Sequence, residues 1–249
     1  MPGPAELLPT FLGVGVLTAT TLALLWVFRT PHPFAPALAI LRGAVQLAAI
    51  SFVLGGVITS PVWVAVALLV MFAVAAISAT RRIGWSLPHL GLVSGSMAGG
   101  IGITLAVIFG TGAIAFTPRY ALAIAGIVIG NGMTIAVLAG RRFKEAVYEH
   151  WEEVEGCLAL GATPRQATLD LARRSVYSAL IPSTDQTKTT GLVTLPGAFV
   201  GAIFGGVSPF EAGRFQIVVL AAIMAAGSIT AVMIIGILAP VRVRPAILR

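Results

Sequence analysis

Several polar side chains lie inside long apolar stretches of this chain, where they could contact a polar or charged cargo. Arg42 and Gln46 stand four residues apart, a spacing that places both on one face of a helix. The other members of this group are Asn131, Asp185, Gln186, Lys188 and Gln216. Because hydrocarbon makes polar groups costly, we interpret all of them as candidates for lining a transport pathway. For Asp185 and Lys188 a simpler interpretation is an ion pair at the membrane surface, since they are three residues apart.

Residue types suited to metal or nucleophilic chemistry are sparse. The histidines are scattered without paired spacing and the methionines stand singly in apolar stretches, so the sequence leaves any metal ligand unknown. Ser94 and Ser96 would need a base, and the nearest histidine, His89, begins the same apolar stretch. There is no G-x-x-x-x-G-K-[ST] motif to hold nucleotide phosphates. We therefore assign no catalytic residue and expect this chain to bind no cofactor.

One polar segment, residues 141–180, interrupts the apolar sequence. The chain is 57% hydrophobic and only 10% charged, a composition that a soluble domain of 249 residues cannot hide in one core. This segment nevertheless holds six basic and six acidic residues and is neutral. The net charge of +7 therefore lies elsewhere in the chain, where it suits lipid headgroups better than nucleic acid. The single cysteine, Cys157, excludes an internal disulfide.

The polar segment is predicted to form two short helices joined by an elbow. In residues 141–160 apolar side chains recur at intervals of three and four, namely Phe143, Val147, Trp151, Val154 and Leu158. Gly161 suits a helix C-cap, Thr163 with Gln166 matches the T-x-x-Q capping box, and Pro164 suits a first helical turn. We interpret the bend as a rigid lever with a protein partner. A hairpin that lies on the membrane surface is the alternative.

Runs of about 20 apolar residues, the length that crosses a bilayer, predict an all-α polytopic membrane protein with about seven transmembrane helices. The predicted spans are 7–28, 35–58, 62–80, 91–115, 119–140, 184–206 and 213–239. Lys and Arg are concentrated in cytoplasmic loops. With the N-terminus outside and the C-terminus inside, only Arg119 and Arg214 fall on the outer side, against twelve basic residues inside. The polar segment is then cytosolic.

Glycine and proline positions predict close helix packing and a break in the sixth span. Gly197, Gly201 and Gly205 form two overlapping G-x-x-x-G steps, which favour close approach of helices within or between subunits. The same spacing occurs at Gly91, Gly95, Gly99, Gly126 and Gly130. Pro196 lacks a backbone donor, so we expect the helix to be kinked or broken there.

The sequence resembles a family of transport proteins. Glu155 followed by Gly161 in EGCLALGATP resembles the EAA loop of ABC-transporter permeases, although alanines are usual at positions 156 and 157. The stretches LALGATPRQA and LIPSTDQTKTTGLVTLPGAFVGAIFGGVSPFEAGRFQIVV are similar to the small permeases of the bacterial iron-export (FetB-like) type and to the plant aluminium-tolerance permease. The resemblance covers most of the chain and is sharpest from about residue 129 to 219.

This resemblance implies a single permease domain, residues 1–249, whose coupling helices within 141–180 dock on a separate cytosolic ATPase. The implied coupling residues are Glu155, Gly161, Ala162, Thr163 and Pro164. It also implies a permease homodimer in the plasma membrane, served by two copies of an ATPase that binds ATP and Mg²⁺. The implied activity is export of a metal ion such as iron, or of a small polar solute. Iron-type members tend to be methionine-rich where this chain has DQTKTT, which weakens the expectation of iron.

A secondary transporter driven by an ion gradient is the alternative function. Such a protein needs an intramembrane carboxylate to couple the gradient to transport. Asp185 is the only candidate for that role in the predicted spans, and the predicted start of the sixth span places it near a membrane surface.

Overall fold

The computed structural model describes residues 4–57 and 60–245, and these form ten helices. The chain divides into two compact units, residues 1–57 and 58–249. In the smaller unit α1 (Pro4–Val27) packs against α2 (Ala35–Val57). The turn between them contains Arg29 and His32 at positive φ, 53° and 59°. The turn joins the two apolar helices of this unit into a helical hairpin.

The larger unit contains the remaining eight helices of the described chain. They are α3 (Pro61–Ile83), α4 (Leu87–Gly110), α5 (Pro118–Glu149), α6 (Trp151–Ala159), α7 (Pro164–Ala167), α8 (Leu169–Thr189), α9 (Gly197–Phe204) and α10 (Pro209–Leu238). The four long ones, α3, α4, α5 and α10, each begin at a serine or threonine N-cap with a proline in the first helical turn: Ser60, Ser86, Thr117 and Ser208. At α4, α5 and α10 the hydroxyl oxygen of the N-cap accepts from a free backbone N–H, whereas Ser60 at α3 makes no such bond. Proline in the first turn lacks a backbone N–H, so these sequences fix where the helices start.

Helix α5 lies at the centre of the larger unit. It packs against α3, α4, α8 and α10, and α10 in turn packs against α4, α8 and α9. The core between these helices consists mainly of fully buried aliphatic side chains, including Ile83, Met97, Ile124 and Ile135. At about 1.5 Å per residue, the 32 residues of α5 span about 48 Å, more than a hydrocarbon core of about 30 Å. Its last turns therefore project beyond the apolar layer.

Three glycines allow the closest helix contacts in this core. A Cβ added at Gly100 in α4 would lie 2.6 Å from the backbone oxygen of Ala226 in α10, and one at Gly227 would collide with the Ile135 side chain. A Cβ at Gly140 in α5 would lie 3.0 Å from Ile83 at the end of α3. Small residues of this kind let helix backbones approach each other in lipid.

The glycines predicted from G-x-x-x-G spacing contribute less than expected. An added Cβ would contact Met233 at Gly99 and Met71 at Gly126, but it would meet no atom within 4 Å at Gly91, Gly95 or Gly130. The G-x-x-x-G spacing therefore predicted the helix contacts at Gly99 and Gly126. It did not predict the three tightest contacts, which are at Gly100, Gly140 and Gly227. The tightest positions are set by which residue of the neighbouring helix lies opposite, and that depends on tertiary packing.

The prediction of an all-helical, multi-pass membrane protein is confirmed for the described residues. Five stretches are long and apolar enough to cross a membrane: Leu8–Val27, Pro61–Ile83, Leu87–Gly110, Pro118–Glu149 and Pro209–Leu238. They correspond to the first, third, fourth, fifth and seventh predicted spans. In α2 the described side chains form an apolar stretch from Ala35 to Ser51, and the second predicted span continues to residue 58, beyond the side chains that the structure describes. The number of spans and their orientation stay predictions.

The sixth predicted span, residues 184–206, has different helix bounds in the structure. Helix α8 begins at Leu169, well before the predicted start, and ends at Thr189. Non-helical backbone follows, and α9 starts at Gly197 with Pro196 as its N-cap. The expected break near Pro196 is therefore present. The start of α8 was predicted too late because the first half of this helix is charged and does not have the apolar composition of a span.

Candidate functional site

The polar segment begins on the projecting end of α5. Its first predicted helix, residues 141–160, is divided in the structure: α5 continues to Glu149, and α6 starts at Trp151 after a break at His150. The predicted apolar stripe nevertheless faces the core. Phe143, Val147 and Val154 are buried, and Trp151 and Leu158 are partly buried against the same cluster. Amphipathic spacing therefore identified the packed face, although a backbone break lies within it.

The elbow is taken as residues 160–168, and its bend at residues 161–164 has the geometry that the sequence predicts. Gly161 has a φ of 91°, the left-handed region in which glycine ends helices. The Thr163 backbone N–H donates to Oε1 of Gln166 at 2.9 Å, and the Gln166 N–H donates back to the Thr163 hydroxyl at 3.4 Å. This reciprocal capping box leads into Pro164 at the start of α7. The direction of the chain through the bend is thus fixed on both sides.

Two hydrogen bonds attach the elbow to the end of α10. The Thr168 hydroxyl, fully buried, donates to the carbonyl oxygen of Ala239 at 2.6 Å. The Arg165 guanidinium donates to the carbonyl oxygen of Gly236 at 3.0 Å. Carbonyl groups in the last turn of a helix have no partner in their own helix, so these side chains complete the end of α10. This segment is therefore attached directly to the end of α10.

Further contacts hold the polar segment to the bundle. Lys144 donates to the carbonyl oxygen of Ile83 at 2.8 Å and so completes the C-terminal end of α3. Arg244, beyond α10, donates to the carbonyl oxygen of Tyr148 at 3.2 Å and lies 4.2 Å from the centroid of its ring. The start of the polar segment is thereby tied to α3 and to the chain that follows α10.

The outer surface of the elbow is exposed. Glu155 and Cys157 on α6 face solvent, and Leu160 is 91% exposed at the tip next to Gly161. Sequence reasoning did not single out Leu160, because it stands outside the apolar stripe; its position directly before the helix-ending glycine was the available signal. The neighbouring ion pairs, Arg174 with Asp170 at 2.8 Å and Arg141 with Glu145 at 4.0 Å, are exposed and contribute little to stability. An exposed leucine on a rigid, capped bend is suited to docking.

The polar residues predicted for a pathway are not brought together by the structure. Asp185 and Lys188 pair with each other at 3.4 Å and are 61% and 69% exposed. The neighbouring Gln186 is also exposed. Asn131 donates to the Ile127 carbonyl oxygen of its own helix. Arg42 and Gln46 are exposed residues of the smaller unit.

Gln216 is the predicted pathway residue that the core encloses. It is buried in α10, and its Oε1 has no hydrogen-bond partner among the described residues. Two hydroxyl groups on α4, those of Ser96 and Thr104, are also buried without a hydrogen-bond partner among the described residues. Thr230 on α10 is also buried and donates to the backbone oxygen of Ser96 at 3.4 Å. The sequence analysis did not identify Ser96, Thr104 and Thr230 as buried polar residues. The available indication was that Ser96, Gly100 and Thr104 recur every four residues, which places them on one face of α4.

The glycines after Pro196 have no close packing partner among the residues that the structure describes. A Cβ added at Gly197 or Gly201 would meet no atom within 4 Å, and one at Gly205 would meet only carbonyl oxygens of its own turn. Their predicted role in packing within one subunit is therefore not supported, and packing between subunits stays a prediction. A metal site formed by three or more His, Cys, Asp or Glu side chains is not found in the described residues.

Taken together, the helices, their apolar surfaces and the polar segment at one end define a multi-pass helical membrane protein. The uncharacterised protein family UPF0014 matches residues 10–241. The chain belongs to this family, as the similarity to FetB-like permeases predicted. No solved structure matches it.

Named relatives of the chain come from plants and bacteria. It is 39% identical over 197 residues to UPF0014 membrane protein STAR2 of Oryza sativa subsp. japonica, covering 78% of this chain and 69% of the relative. It is 38% identical over 194 residues to Protein ALUMINUM SENSITIVE 3 of Arabidopsis thaliana, covering 77% and 71%. It is 40% identical over 133 residues to "Probable iron export permease protein FetB" of Escherichia coli (strain K12), covering 53% and 51%.

Proposed function

We propose that this chain is the permease subunit of an ABC transporter and that a separate ATPase drives it by docking on the elbow. The observation that carries the proposal is the elbow itself: a capped bend with an exposed leucine that is hydrogen-bonded to the end of a long apolar helix. Such an element transmits displacement because neither its shape nor its attachment is free to change. The name of the FetB relative, an iron export permease, supports transport as the activity.

The proposed assembly is a homodimer in the plasma membrane with two ATPase subunits, oriented with the N-terminus outside and the elbow in the cytoplasm. One chain contributes one elbow, so a symmetric two-ATPase machine needs two chains. ATP and Mg²⁺ bind to the ATPase, and this chain holds no nucleotide motif. Closure of the ATPases displaces both elbows and rocks the helices between inward and outward access. The cargo class we propose is a metal ion or a small polar solute, moved outward.

Glu155, Leu160 and the elbow residues from Gly161 to Pro164 form the proposed docking surface. Leu160 supplies the apolar anchor, since an isolated exposed side chain of this size gains most by entering a pocket on a partner. Glu155 lies on the same short helix and is exposed for a polar contact. Gly161 and the capping box keep the anchor in place.

Reconstitution with the ATPase tests this proposal. The chain and a candidate ABC ATPase subunit from the same organism are placed in proteoliposomes, and ATP hydrolysis and movement of candidate metal ions are measured together. We expect ATP-dependent transport, and we expect Leu160→Ala to weaken binding of the ATPase about tenfold or more. The matched control is Leu87→Ala, which removes another exposed leucine at the start of α4. Equal ATPase affinity for the two variants would contradict docking at the elbow.

A secondary transporter remains the second candidate because of the position of Asp185. Helix α8 starts at Leu169, so Asp185 lies well inside this helix and not at its start. An intramembrane carboxylate is the group that gradient-driven transporters use. A proton or sodium ionophore separates the two functions: it abolishes transport by a secondary transporter and leaves transport by an ATP-driven permease intact.

A further inference from the structure

We propose that the contact between α4 and α10 is a polar seam that opens during the transport cycle, and that the hydroxyl groups of Ser96 and Thr104 then meet water. The inference rests on the proposed function, because it identifies the helix contact that parts when the ATPase displaces the elbow. Ser96, Gly100 and Thr104 recur every four residues on one face of α4, and Gly100 places that face against Ala226 and Thr230 of α10. The seam lies wholly inside the larger unit.

The seam lies at the depth of the hydrocarbon layer. Thr230 is bonded to the backbone oxygen of Ser96, and Gly100 faces Ala226, so α4 and α10 are antiparallel. Helix α4 is 24 residues long, about 36 Å, and crosses a hydrocarbon core of about 30 Å. Gly100 is near the middle of this helix, so the groups beside it are far from the water at either membrane surface.

Two hydroxyl groups of the seam are enclosed without a partner. Ser96 is 1% exposed and Thr104 is 4% exposed, and neither hydroxyl oxygen has a hydrogen-bond partner among the described residues. Ser94 on the same helix instead donates to the carbonyl oxygen of Leu90 at 2.7 Å, the usual bond of a helical serine to its own helix. Burial of a hydroxyl group without such a bond raises the free energy of the closed seam.

Close packing and one long hydrogen bond hold the seam closed. A Cβ added at Gly100 would lie 2.6 Å from the backbone oxygen of Ala226, so the two helices approach each other as closely as a glycine allows. The Thr230 hydroxyl donates to the backbone oxygen of Ser96 at 3.4 Å, beyond the usual range of about 2.5–3.0 Å between two oxygen atoms. Packing therefore favours the closed seam, whereas hydration of Ser96 and Thr104 favours the open one.

The position of α10 connects the seam with the elbow. The end of this helix accepts hydrogen bonds from the elbow at Gly236 and Ala239, while α4 has no described contact with α6 or α7. Displacement of the elbow therefore acts on α10 and not directly on α4. Alanine or valine would fill the sites of Ser96 and Thr104 without an unpaired group, so the hydroxyl groups gain a function only if the seam opens.

Thermal unfolding of the purified protein in detergent tests the closed state without any ATPase. We expect Ser96→Ala and Thr104→Val to raise the transition temperature by about 2–4 °C each, because they remove an unpaired buried hydroxyl group. The matched control is Ser94→Ala, whose hydroxyl group is already bonded, and it should give no increase. An unchanged or lowered transition temperature for both Ser96→Ala and Thr104→Val would show that their hydroxyl groups are satisfied in the closed seam, and would overturn the proposal.

Cysteine accessibility during ATP turnover tests the opening. The chain has one cysteine, so Cys157→Ser gives a cysteine-free background for Ser96→Cys or Thr104→Cys. In proteoliposomes with the candidate ATPase, we expect a small charged methanethiosulfonate reagent to modify both cysteines severalfold faster with ATP than without it. The matched control is Ala76→Cys, since Ala76 is buried on α3, which packs against α4 and α5 among the described helices. Its modification should stay slow in both conditions.

The outcomes separate the seam from the proposed function. Slow modification of Ser96→Cys and Thr104→Cys, while ATP is hydrolysed and cargo moves, would overturn the seam and leave the ABC function standing. An equal increase at Ala76→Cys would also overturn it, because the whole bundle would then loosen. If the unaltered chain neither binds nor stimulates the ATPase, the ABC function is contradicted, and the thermal measurement still decides whether the seam encloses unpaired hydroxyl groups.

Discussion

Thr168 is the residue that connects the exposed elbow with the apolar helices. Its hydroxyl is fully buried and reaches the carbonyl oxygen of Ala239, while its backbone separates α7 from α8. Arg165 repeats the connection one turn earlier on α10, at Gly236. Together these side chains link the docking surface to α10 by hydrogen bonds, in addition to the covalent links through α6 and α8.

Replacing Thr168 with valine should separate ATP hydrolysis from transport. Valine keeps the volume of the side chain but removes the hydroxyl donor to the Ala239 carbonyl oxygen, which then keeps only the Val241 N–H, at a cost of about 0.5–1.5 kcal/mol. We expect the chain to bind and stimulate the ATPase as before, with less cargo moved for each ATP hydrolysed. The measurement is the ratio of transported cargo to ATP consumed in the same proteoliposomes.

The control for this variant is Thr134→Val. The Thr134 hydroxyl donates only to Gly130 in its own helix, and the side chain is exposed. An unchanged transport ratio in Thr168→Val, or an equal decrease in Thr134→Val, would show that the bond to α10 does not transmit the motion.

The residues of the elbow differ in how far the sequence could reveal them. Gly161, Thr163 and Gln166 were predicted in their roles because caps depend on neighbours within a few residues. The bonds from Arg165 to Gly236 and from Thr168 to Ala239 join positions 71 residues apart, and no local pattern announces them. Asp185 was identified as a candidate, but the helix that carries it was placed too late in the sequence, because α8 starts at Leu169.

At the scale of helices, the contact between α4 and α10 depends on the absence of a side chain at one position. Gly100 faces the backbone oxygen of Ala226, with Thr230 beside it. Backbone atoms cannot rotate away as a flexible side chain does, so the helices themselves must separate if the space is filled. This contact also encloses the buried hydroxyl groups of Ser96 and Thr104.

Gly100→Ala should destabilise the protein, and Gly95→Ala should not. An added methyl group at Gly100 forces α4 away from α10, and overpacking of this kind costs about 1–3 kcal/mol. At Gly95, on the same helix, a Cβ meets no atom within 4 Å, and alanine favours the helix. Thermal unfolding of the purified protein in detergent measures the difference. Equal transition temperatures for the two variants would contradict the close contact.

Helix bounds were predictable where hydropathy alone decides them. The four long helices of the larger unit were all expected, and each starts at a serine or threonine cap with a proline nearby. Helix α8 was misplaced because its first half is charged on the outer face while the opposite face packs against α5 and α10. Average hydropathy does not distinguish such a helix from a loop, and only its neighbours show that it belongs to the bundle.

At the scale of the whole molecule, the larger unit presents two different surfaces that its own helices leave uncovered. The elbow lies at the polar end, and the outward face of α8 lies along the side of the bundle. In the proposed assembly an ATPase occupies the first of these surfaces. Helix α8 joins these surfaces, because it begins directly after the elbow and ends at the non-helical segment before α9.

Cross-linking from Cys157 tests the central claim most directly. This exposed residue is the only cysteine of the sequence and lies on α6 beside the proposed docking surface, so the unaltered chain can carry a maleimide with a photoreactive group. The control carries Cys157→Ser with Thr111→Cys, at the exposed C-cap of α4. After illumination of membranes containing both proteins, we predict a covalent adduct between the chain and the ATPase from Cys157 and none from position 111. Adducts of equal yield from both positions, or none from Cys157 while ATP-driven transport continues, would contradict docking of the ATPase on the elbow.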